Sequence, residues 1–181
     1  MFTSIRCRTA CTAAALTLAG SGLLVPAEAH ATGLDLSCSG SQTATYKPPL
    51  TNTTQSTKVQ ITETYTSCLP NPAGIASGKG SFSITENASC TTINQPGSVT
   101  DVVTYEWNND KKSTVTFTTV AVARLADGST QVTATGQVTD GFGKGDKATR
   151  TVTLPELNAT ACSGAGVKNQ TGPATLTFAS A

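Results

Sequence analysis

The only histidine of the chain, His30, decides which catalytic chemistry is open to this protein. Nucleophilic catalysis by serine or cysteine needs a base, normally an imidazole, that accepts the proton of the nucleophile. His30 lies within residues 1–31, a segment with the features of a secretory signal peptide. After removal of that segment no histidine remains. The sequence therefore predicts a mature protein without a Ser-His or Cys-His catalytic pair, and hence a protein that is not an enzyme.

Residues 1–31 show the three parts of a secretory leader. Arg6 and Arg8 supply the positive start, residues 13–25 form a short apolar stretch, and Ala29-His30-Ala31 offers a cleavage site of the A-x-A type. The apolar stretch is too short and too interrupted by threonine and glycine to span a bilayer, which takes about 20 apolar residues. We expect a secreted, extracellular protein with a single domain, residues 32–181, and no membrane anchor.

Four cysteines remain beyond the leader, namely Cys38, Cys68, Cys90 and Cys162. An even number of cysteines in an exported chain indicates disulfides. If the strands on either side of residues 52–53 form a hairpin, Cys38 and Cys68 lie opposite each other. That geometry favours the pair Cys38–Cys68 and, by elimination, Cys90–Cys162. A zinc site is not expected, because the sequence contains no Cys-x-x-Cys pair.

Carboxylates are the remaining groups that could perform acid–base chemistry. Glu63, Glu86 and Glu106 all fall in predicted strands, and a glycosidase would need two of them in one cleft, roughly 5 to 9 Å apart. Nothing in their spacing requires them to meet. The segment from Asp140 to Asp146 has carboxylates and glycines, but it lacks the ligand series of an EF-hand loop. We therefore expect no metal and no cofactor.

The single tryptophan marks the candidate binding residues. Trp107 precedes Asn108 and Asn109, where its ring could stack on a sugar or anchor a protein contact. A carbohydrate-binding surface would require Trp107 to be exposed, with a second ring such as Tyr105 or Phe142 in the same plane. The alternative interpretation is a tryptophan packed in the core. The candidate binding set is Trp107, Asn108, Asn109 and Phe142.

The charge of the chain is balanced. The chain has twelve Lys and Arg residues against eleven Asp and Glu residues. Loss of Arg6, Arg8 and Glu28 with the leader leaves ten of each sign. No basic stripe or polybasic patch is present, so we expect neither nucleic acid nor a membrane surface as a partner.

Strands should position all of these groups. Threonine supplies one residue in five after Ala31, alternation of period two recurs, and no segment has helical periodicity. Asp127-Gly128 predicts a type I′ turn with both residues at positive φ, which would pair Leu125 with Thr130 and Phe117 with Val138. About eight short strands are typical of a β-sandwich, with a closed β-barrel as the alternative. The predicted strands are residues 36–46, 58–66, 81–86, 99–107, 113–125, 149–154 and 174–178, with one more after the Asp127-Gly128 turn.

A series of short motifs resembles a group of small secreted proteins common in actinobacteria. The motifs are Cys38-x-Gly40, Tyr46-x-Pro48-x-Leu50, Trp107-Asn108-Asn109 and Leu154-Pro155-x-Leu157 with Cys162 soon after. The resemblance runs over essentially the whole mature chain, implies an immunoglobulin-like sandwich and secretion, and supplies no catalytic residues. The chain also resembles the small adaptor subunits of umbrella toxin particles, which join a repeat-bearing scaffold protein to lectin-like subunits.

These observations predict an immunoglobulin-like antiparallel β-sandwich of about eight strands with two disulfides. The expected function is that of a secreted, non-enzymatic protein-interaction module whose partner is another secreted protein. An adaptor subunit of a large extracellular complex, such as a toxin particle, is the specific form of this prediction. The first alternative is a carbohydrate-binding module, and the second is a carboxylate-dependent hydrolase.

Overall fold

Antiparallel strands make up most of the part of the chain that the structure describes. The structure is a computed structural model and describes residues 34–93 and 100–180. A short 3₁₀ turn, Pro72–Gly74, and a five-residue helix, α1 (Ala159–Ser163), lie in two of the connections. The predicted leader and Val99, the start of one predicted strand, fall outside the described residues. The strands are β1 (Leu34–Leu50), β2 (Gln55–Leu69), β3 (Gly78–Ala88), β4 (Asp101–Trp107), β5 (Lys112–Arg124), β6 (Thr130–Gly141), β7 (Lys147–Leu154) and β8 (Val167–Ala179).

The sheet closes on itself. Each strand pairs with its neighbours in sequence, and β8 pairs with both β7 and β1. The prediction of an immunoglobulin-like β-sandwich is therefore wrong, and the fold is an eight-stranded closed β-barrel, the architecture named as the alternative. Closure removes the free edges that a sandwich would leave on its outer strands.

Strand length explains why the sandwich was predicted. The last strand was expected at residues 174–178, whereas β8 begins at Val167, and β1 extends over 17 residues. These long first and last strands pair along most of their length and so close the sheet. Inward and outward residues alternate in the same way in a sandwich and in a barrel. The alternation in the sequence consequently does not distinguish the two architectures.

Two glycines with register shifts beside them lie where adjacent strands approach closely. A Cβ atom at Gly40 would overlap the carbonyl oxygen of Thr64, and one at Gly136 would overlap that of Thr116. The pairing register shifts beside each of these glycines. Bulges and glycines at such positions bend strands and allow a sheet to curl into a barrel.

The two ends of the barrel differ in how they are filled. We call the end with loops 70–77, 108–111 and 142–146 the lower end, and the end with loops 51–54, 125–129 and 155–166 the upper end. The lower half is filled by large rings of the main hydrophobic cluster, including Tyr65, Tyr105, Trp107, Phe117 and Phe178. The upper half holds a smaller cluster around Tyr46, Leu50 and Val59.

Both predicted disulfides are confirmed. Cys38 and Cys68 are directly opposed on β1 and β2, as the hairpin geometry required, and are bonded to each other. Cys90 and Cys162 form the second disulfide, which links the segment after β3 to α1 at the upper end.

The hairpin between β5 and β6 differs from its prediction. Gly128 has φ of 84°, but Asp127 is not at positive φ, so the turn is not of type I′. The N–H of Leu125 donates to Ser129 and the N–H of Gly128 donates to Leu125, which defines a three-residue loop closed by a glycine. Strand pairing near the turn is accordingly shifted by one residue relative to the prediction, with Arg124 opposite Thr130, and further along Phe117 lies opposite Gly136 and not opposite the predicted Val138.

The alternating sequence of β5 hides this shift. Residues 119–123 read Thr-Val-Ala-Val-Ala, so both faces of the strand carry apolar side chains. A register shifted by one residue would therefore still bury apolar side chains, and the sequence pattern does not distinguish the two registers. In the structure Val120 and Val122 point into the barrel, whereas Ala121 and Ala123 are exposed.

Replacing Gly128 by valine should destabilise the protein by more than about 1 kcal/mol, because a β-branched residue is strongly disfavoured at positive φ. Gly128→Asn is the matched control, since asparagine tolerates this conformation, and it should cost less. Urea unfolding of the two variants measures the difference. Equal stability of Gly128→Val and Gly128→Asn would show that backbone conformation does not limit this turn.

Candidate functional site

Three charged side chains meet inside the barrel. Nη1 of Arg150, on β7, donates to Oε1 of Glu63 at 3.0 Å, and Nη2 lies 3.5 Å from Oδ2 of Asp101. Their exposed fractions are 5%, 0% and 7%, respectively. Charges buried this deeply persist only when they are paired and hydrogen-bonded. Two carboxylates share one guanidinium here, so the cluster carries an excess of negative charge.

Two tyrosines complete the hydrogen bonding of Glu63 but not that of Asp101. The hydroxyls of Tyr65 and Tyr105 donate to Oε2 of Glu63 at 3.0 and 2.9 Å. Burial and then the charge of Glu63 raise the pKa of both tyrosines, which keeps them protonated as donors. Oδ1 of Asp101, in contrast, is buried and has no hydrogen-bond partner within the described residues. Burial raises the pKa of Asp101, and Arg150 offsets this only in part.

Aromatic rings fix the position of the guanidinium. The Arg150 guanidinium lies 4.9 Å from the ring centre of Phe82 and 4.6 Å from that of Phe117, which are cation–π distances. Burial lowers the pKa of Arg150, but the charges of Glu63, the two tyrosines and Asp101 outweigh burial and raise it. Arg150 therefore stays charged and separates the filled lower half of the barrel from the upper half.

Above Arg150 the described residues leave part of the barrel interior unfilled. A cavity of about 140 Å³ lies there, and six of the eight strands contribute to its walls. Every second residue of a strand points into the barrel, and the strand residues of the cavity wall occupy these inward positions. Their branched aliphatic side chains therefore surround the space. Eight-stranded barrels are wide enough to hold one small ligand in this way. The apolar wall consists of Ala44, Val59, Ile61, Ile84, Ile93, Val120, Val122, Val132, Val152 and Leu154.

The described wall of the barrel is least complete between β3 and β5. β4 begins at Asp101, opposite Phe117, whereas β5 continues to Arg124. β3 pairs with β4 only from Gly78 to Gly80. Among the described residues, the upper part of β5 therefore has no β4 neighbour, and its inward residue Val122 is only half-buried.

Glu86 is the carboxylate on the cavity wall. It extends inward from β3, is half-buried, and makes no hydrogen bond or ion pair within residues 34–93 and 100–180. Burial and then the charge of Asp101 raise the pKa of Glu86. Tyr46, also on the wall, donates its hydroxyl proton to Oε1 of Gln170 at 2.7 Å. Burial and the charge of Glu86 raise the pKa of Tyr46, so this hydroxyl remains protonated.

The predicted binding residue Trp107 lies in the core. It is 4% exposed, its Nε1 donates to Oγ of Ser113 at 2.9 Å, and its ring stacks on Tyr105 at 5.9 Å between centres. Tyr105 is itself 0% exposed. The exposed pair of coplanar rings that a carbohydrate-binding surface requires is therefore not formed by these two residues.

The other predicted binding residues hold the loops of the lower end together. Asn108 accepts two backbone hydrogen bonds from loop 70–77 and donates one to it, and Asn109 donates another. Phe142 is half-buried, with Nζ of Lys111 at 5.8 Å from its ring centre. All four predicted residues thus lie at the opposite end of the barrel from the cavity.

The three glutamates considered as catalytic candidates do not converge. Glu106 faces outward and pairs with Lys79 and Lys112 at 3.4 and 3.0 Å. Glu63 lies opposite Gly80 and Glu86 opposite Thr57 in the β2–β3 register. This six-residue offset corresponds to roughly 20 Å along the strands. The condition set for a carboxylate-dependent hydrolase is therefore not met by Glu63, Glu86 and Glu106.

Arg150 and Asp101 are not among the predicted site residues, although strand alternation carries a signal for both, since Asp101 lies on the same face of its strand as Val103 and Tyr105. Side chains alternate between the two faces of a strand, and Arg150 lies two and four residues before Val152 and Leu154. If these two aliphatic side chains point into the barrel, the side chain of Arg150 points inward as well. Glu63 likewise lies on the same face of β2 as Val59 and Ile61. Two opposite charges at inward positions of separate strands indicate a buried ion pair.

Comparisons with known proteins add no further information about the site. No protein-family model, curated protein or solved structure matches this chain. Within the described residues, no cluster of three or more His, Cys, Asp or Glu side chains could hold a metal ion. No helix in that same part of the chain is long and apolar enough to cross a membrane. The resemblances to actinobacterial secreted proteins and to toxin adaptors thus remain predictions.

Proposed function

We propose that this protein is a binding protein that holds a small, largely apolar molecule in the upper half of its barrel. The observation that carries this proposal is the cavity of about 140 Å³, lined mainly by aliphatic side chains in a barrel whose lower half is filled. An aliphatic cavity of about 150 Å³ is known to accommodate benzene. The volume therefore suits a single ring or a chain of about six carbons.

Binding, and not catalysis, is the activity that the cavity supports. None of the described residues that line it is a serine, a cysteine or a histidine, so these residues form no Ser-His or Cys-His catalytic pair on the cavity wall. Burial of apolar ligand surface would supply the free energy of binding, at about 25 cal/mol per Å².

Export is part of the proposal. Two disulfides are the usual mark of a protein that folds in an oxidising compartment. Residues 1–31 have the composition of a secretory leader, and N-terminal sequencing of the protein from culture medium tests that assignment.

Val122→Phe should weaken binding of a cavity-sized probe such as hexanol by at least about tenfold, because the larger side chain occupies the cavity. Ala123→Phe is the matched control, since Ala123 is the next residue of β5 and points outward. A hexanol titration followed by NMR of backbone amides measures the dissociation constants. Equal weakening by both substitutions, or no saturable binding by the unmodified protein, would contradict the proposal.

A protein-interaction module is the second candidate, with another secreted protein as partner. The observation that favours it is Val102, which is 58% exposed on the outer face of β4, with Thr116 as its neighbour on β5. An exposed apolar side chain within a threonine-rich face suits a contact with another protein. The test is the size of the native protein in culture supernatant. An adaptor should elute in a complex far larger than its own mass, and a free monomer with no cross-linked partner would contradict the adaptor.

A further inference from the structure

We propose that the molecule bound in the cavity carries a positively charged amine, which pairs with the Glu86 carboxylate while its apolar part fills the cavity. This inference rests on the proposed function and specifies the ligand of the same site. It follows from three features of the described residues, namely the charge balance of the interior, an unpartnered buried acceptor, and the scarcity of free donors on the cavity wall.

The interior around the cavity has a surplus of negative charge. Glu63, Glu86 and Asp101 carry three carboxylates, against the single guanidinium of Arg150. Arg150 is committed to Glu63 and Asp101, which leaves Glu86 without a counter-charge among the described residues. Lysine and histidine do not occur among the residues that line the cavity. The missing positive charge is therefore one that a ligand can supply.

An unpartnered acceptor inside the barrel points the same way. Oδ1 of Asp101 is buried without a hydrogen-bond partner in the described part of the chain, although Oδ2 of the same carboxylate contacts Arg150. Asp101 is not among the described residues that line the cavity, so a ligand held there acts on this carboxylate through its charge and not as a hydrogen-bond donor. Asp101 is close enough to Glu86 for its charge to raise the pKa of Glu86. One ammonium near Glu86 would therefore reduce the electrostatic cost at both carboxylates.

The cavity wall offers an anionic ligand no free charged group of the kind that Glu86 offers a cation. The donors on the cavity wall are Arg150, Tyr46 and the neutral amide of Gln42. Arg150 is already ion-paired, and the hydroxyl of Tyr46 already donates to Gln170. Only the neutral amide of Gln42 could donate to a carboxylate or phosphate without breaking one of these interactions, and such an anion would meet the negative charges of Glu86 and Asp101. The cavity is therefore complementary to an amphipathic cation.

Three probes of equal chain length separate this inference from the proposed function. Hexylamine, hexanol and hexanoate share the apolar chain and differ in the charge of the head group. At neutral pH, NMR titrations of the full-length secreted protein should give a dissociation constant for hexylamine about tenfold below that of hexanol, with hexanoate the weakest. Hexanol binding without an advantage for hexylamine would overturn the inference alone. Failure of all three probes to bind would overturn the proposed function itself.

A substitution at Glu86 tests whether this carboxylate causes the preference for hexylamine over hexanol. In Glu86→Gln the advantage of hexylamine over hexanol should fall to about twofold or less. Glu106→Gln, which removes an outward-facing carboxylate of the neighbouring strand, should keep the full advantage. An undiminished preference in Glu86→Gln would overturn the assignment.

The Glu86→Gln variant should fold, because the raised pKa of Glu86 means that its charged form destabilises the folded state. A carboxyl group with a raised pKa contributes stability at low pH and loses that contribution as the pH rises through its folded value. A neutral side chain at this position should therefore raise the melting temperature at neutral pH when no ligand is present.

Acidification of the unmodified protein gives a second readout that does not depend on a variant. The charged and titratable groups around Glu86 are Tyr46 and Arg150, which line the same cavity, and Asp101, whose charge acts on Glu86. As the pH falls through the raised pKa of Glu86, protonation of Glu86 and of Asp101 removes negative charge while Arg150 stays positive. The advantage of hexylamine should decline over this range while hexanol still binds, and an unchanged advantage would overturn the inference.

Discussion

Replacing Arg150 by methionine should lower the free energy of unfolding by about 3–5 kcal/mol, the usual cost of removing one partner of a buried ion pair. The substitution leaves Glu63, which is 0% exposed, and Asp101, which is 7% exposed, without their counter-charge. It also removes the cation between the rings of Phe82 and Phe117. Methionine has a similar length, so loss of charge and not loss of volume should dominate the effect.

Urea unfolding measures this effect, and two further variants define its cause. Arg124→Met, at the exposed end of β5, should change stability by less than about 0.5 kcal/mol. The double variant Arg150→Met with Glu63→Gln should recover part of the loss, because it removes the stranded carboxylate together with the guanidinium. A loss below about 1 kcal/mol in Arg150→Met would show that the buried pair contributes little to the fold.

Removing the Cys90–Cys162 disulfide should cost about 4.5 kcal/mol, against about 3.5 kcal/mol for the Cys38–Cys68 disulfide. The difference follows from loop size, since the two bonds close sequence separations of 72 and 30 residues. In the unfolded chain the longer loop loses more conformational freedom when it is cross-linked. The Cys90–Cys162 bond also lies beside two backbone hydrogen bonds that join Thr51 to Cys90 and Asn52 to Cys162.

The two double Cys→Ala variants should be compared under the same conditions by urea unfolding, with the m-value checked for two-state behaviour. Each variant serves as the control for the other, because both lose one disulfide and two sulfur atoms. A larger loss for the Cys38–Cys68 variant would show that local packing at the lower end, and not loop size, governs the contribution of these bonds.

Local features of the fold were accessible from the sequence because they depend on alternation and on turn residues. The positions of the eight strands, the β1–β2 hairpin and both disulfides belong to this group. Closure of the sheet was not accessible, because it depends on pairing between β1 and β8, whose paired residues are 117 to 145 positions apart in the sequence. The register of β5 was also missed, since valine and alanine alternate along it and either face can be buried.

The candidate site was predictable only in part. The alternation of apolar and polar residues in β2 predicts that Glu63 points inward. A β-sandwich, however, does not require the Glu63 carboxylate to lie near an arginine of β7. Period two also places Asp101 on the inward face of β4 with Val103 and Tyr105, but it does not show that Asp101 and Arg150 meet across the barrel. Trp107 was selected for its rarity, yet a lone tryptophan more often fills a core, and here it packs between Tyr105 and Phe178.

The pairing of the first and last strands also fixes where the protein can be tethered. Leu34 lies opposite Ala179 at the lower end, so the two ends of the described chain are adjacent and lie away from the cavity. A linker of a few residues could join them, and the chain could be reopened at loop 142–146 to give a circular permutant with the same strand neighbours. Immobilisation through either end should leave the cavity facing away from the support and accessible to ligand.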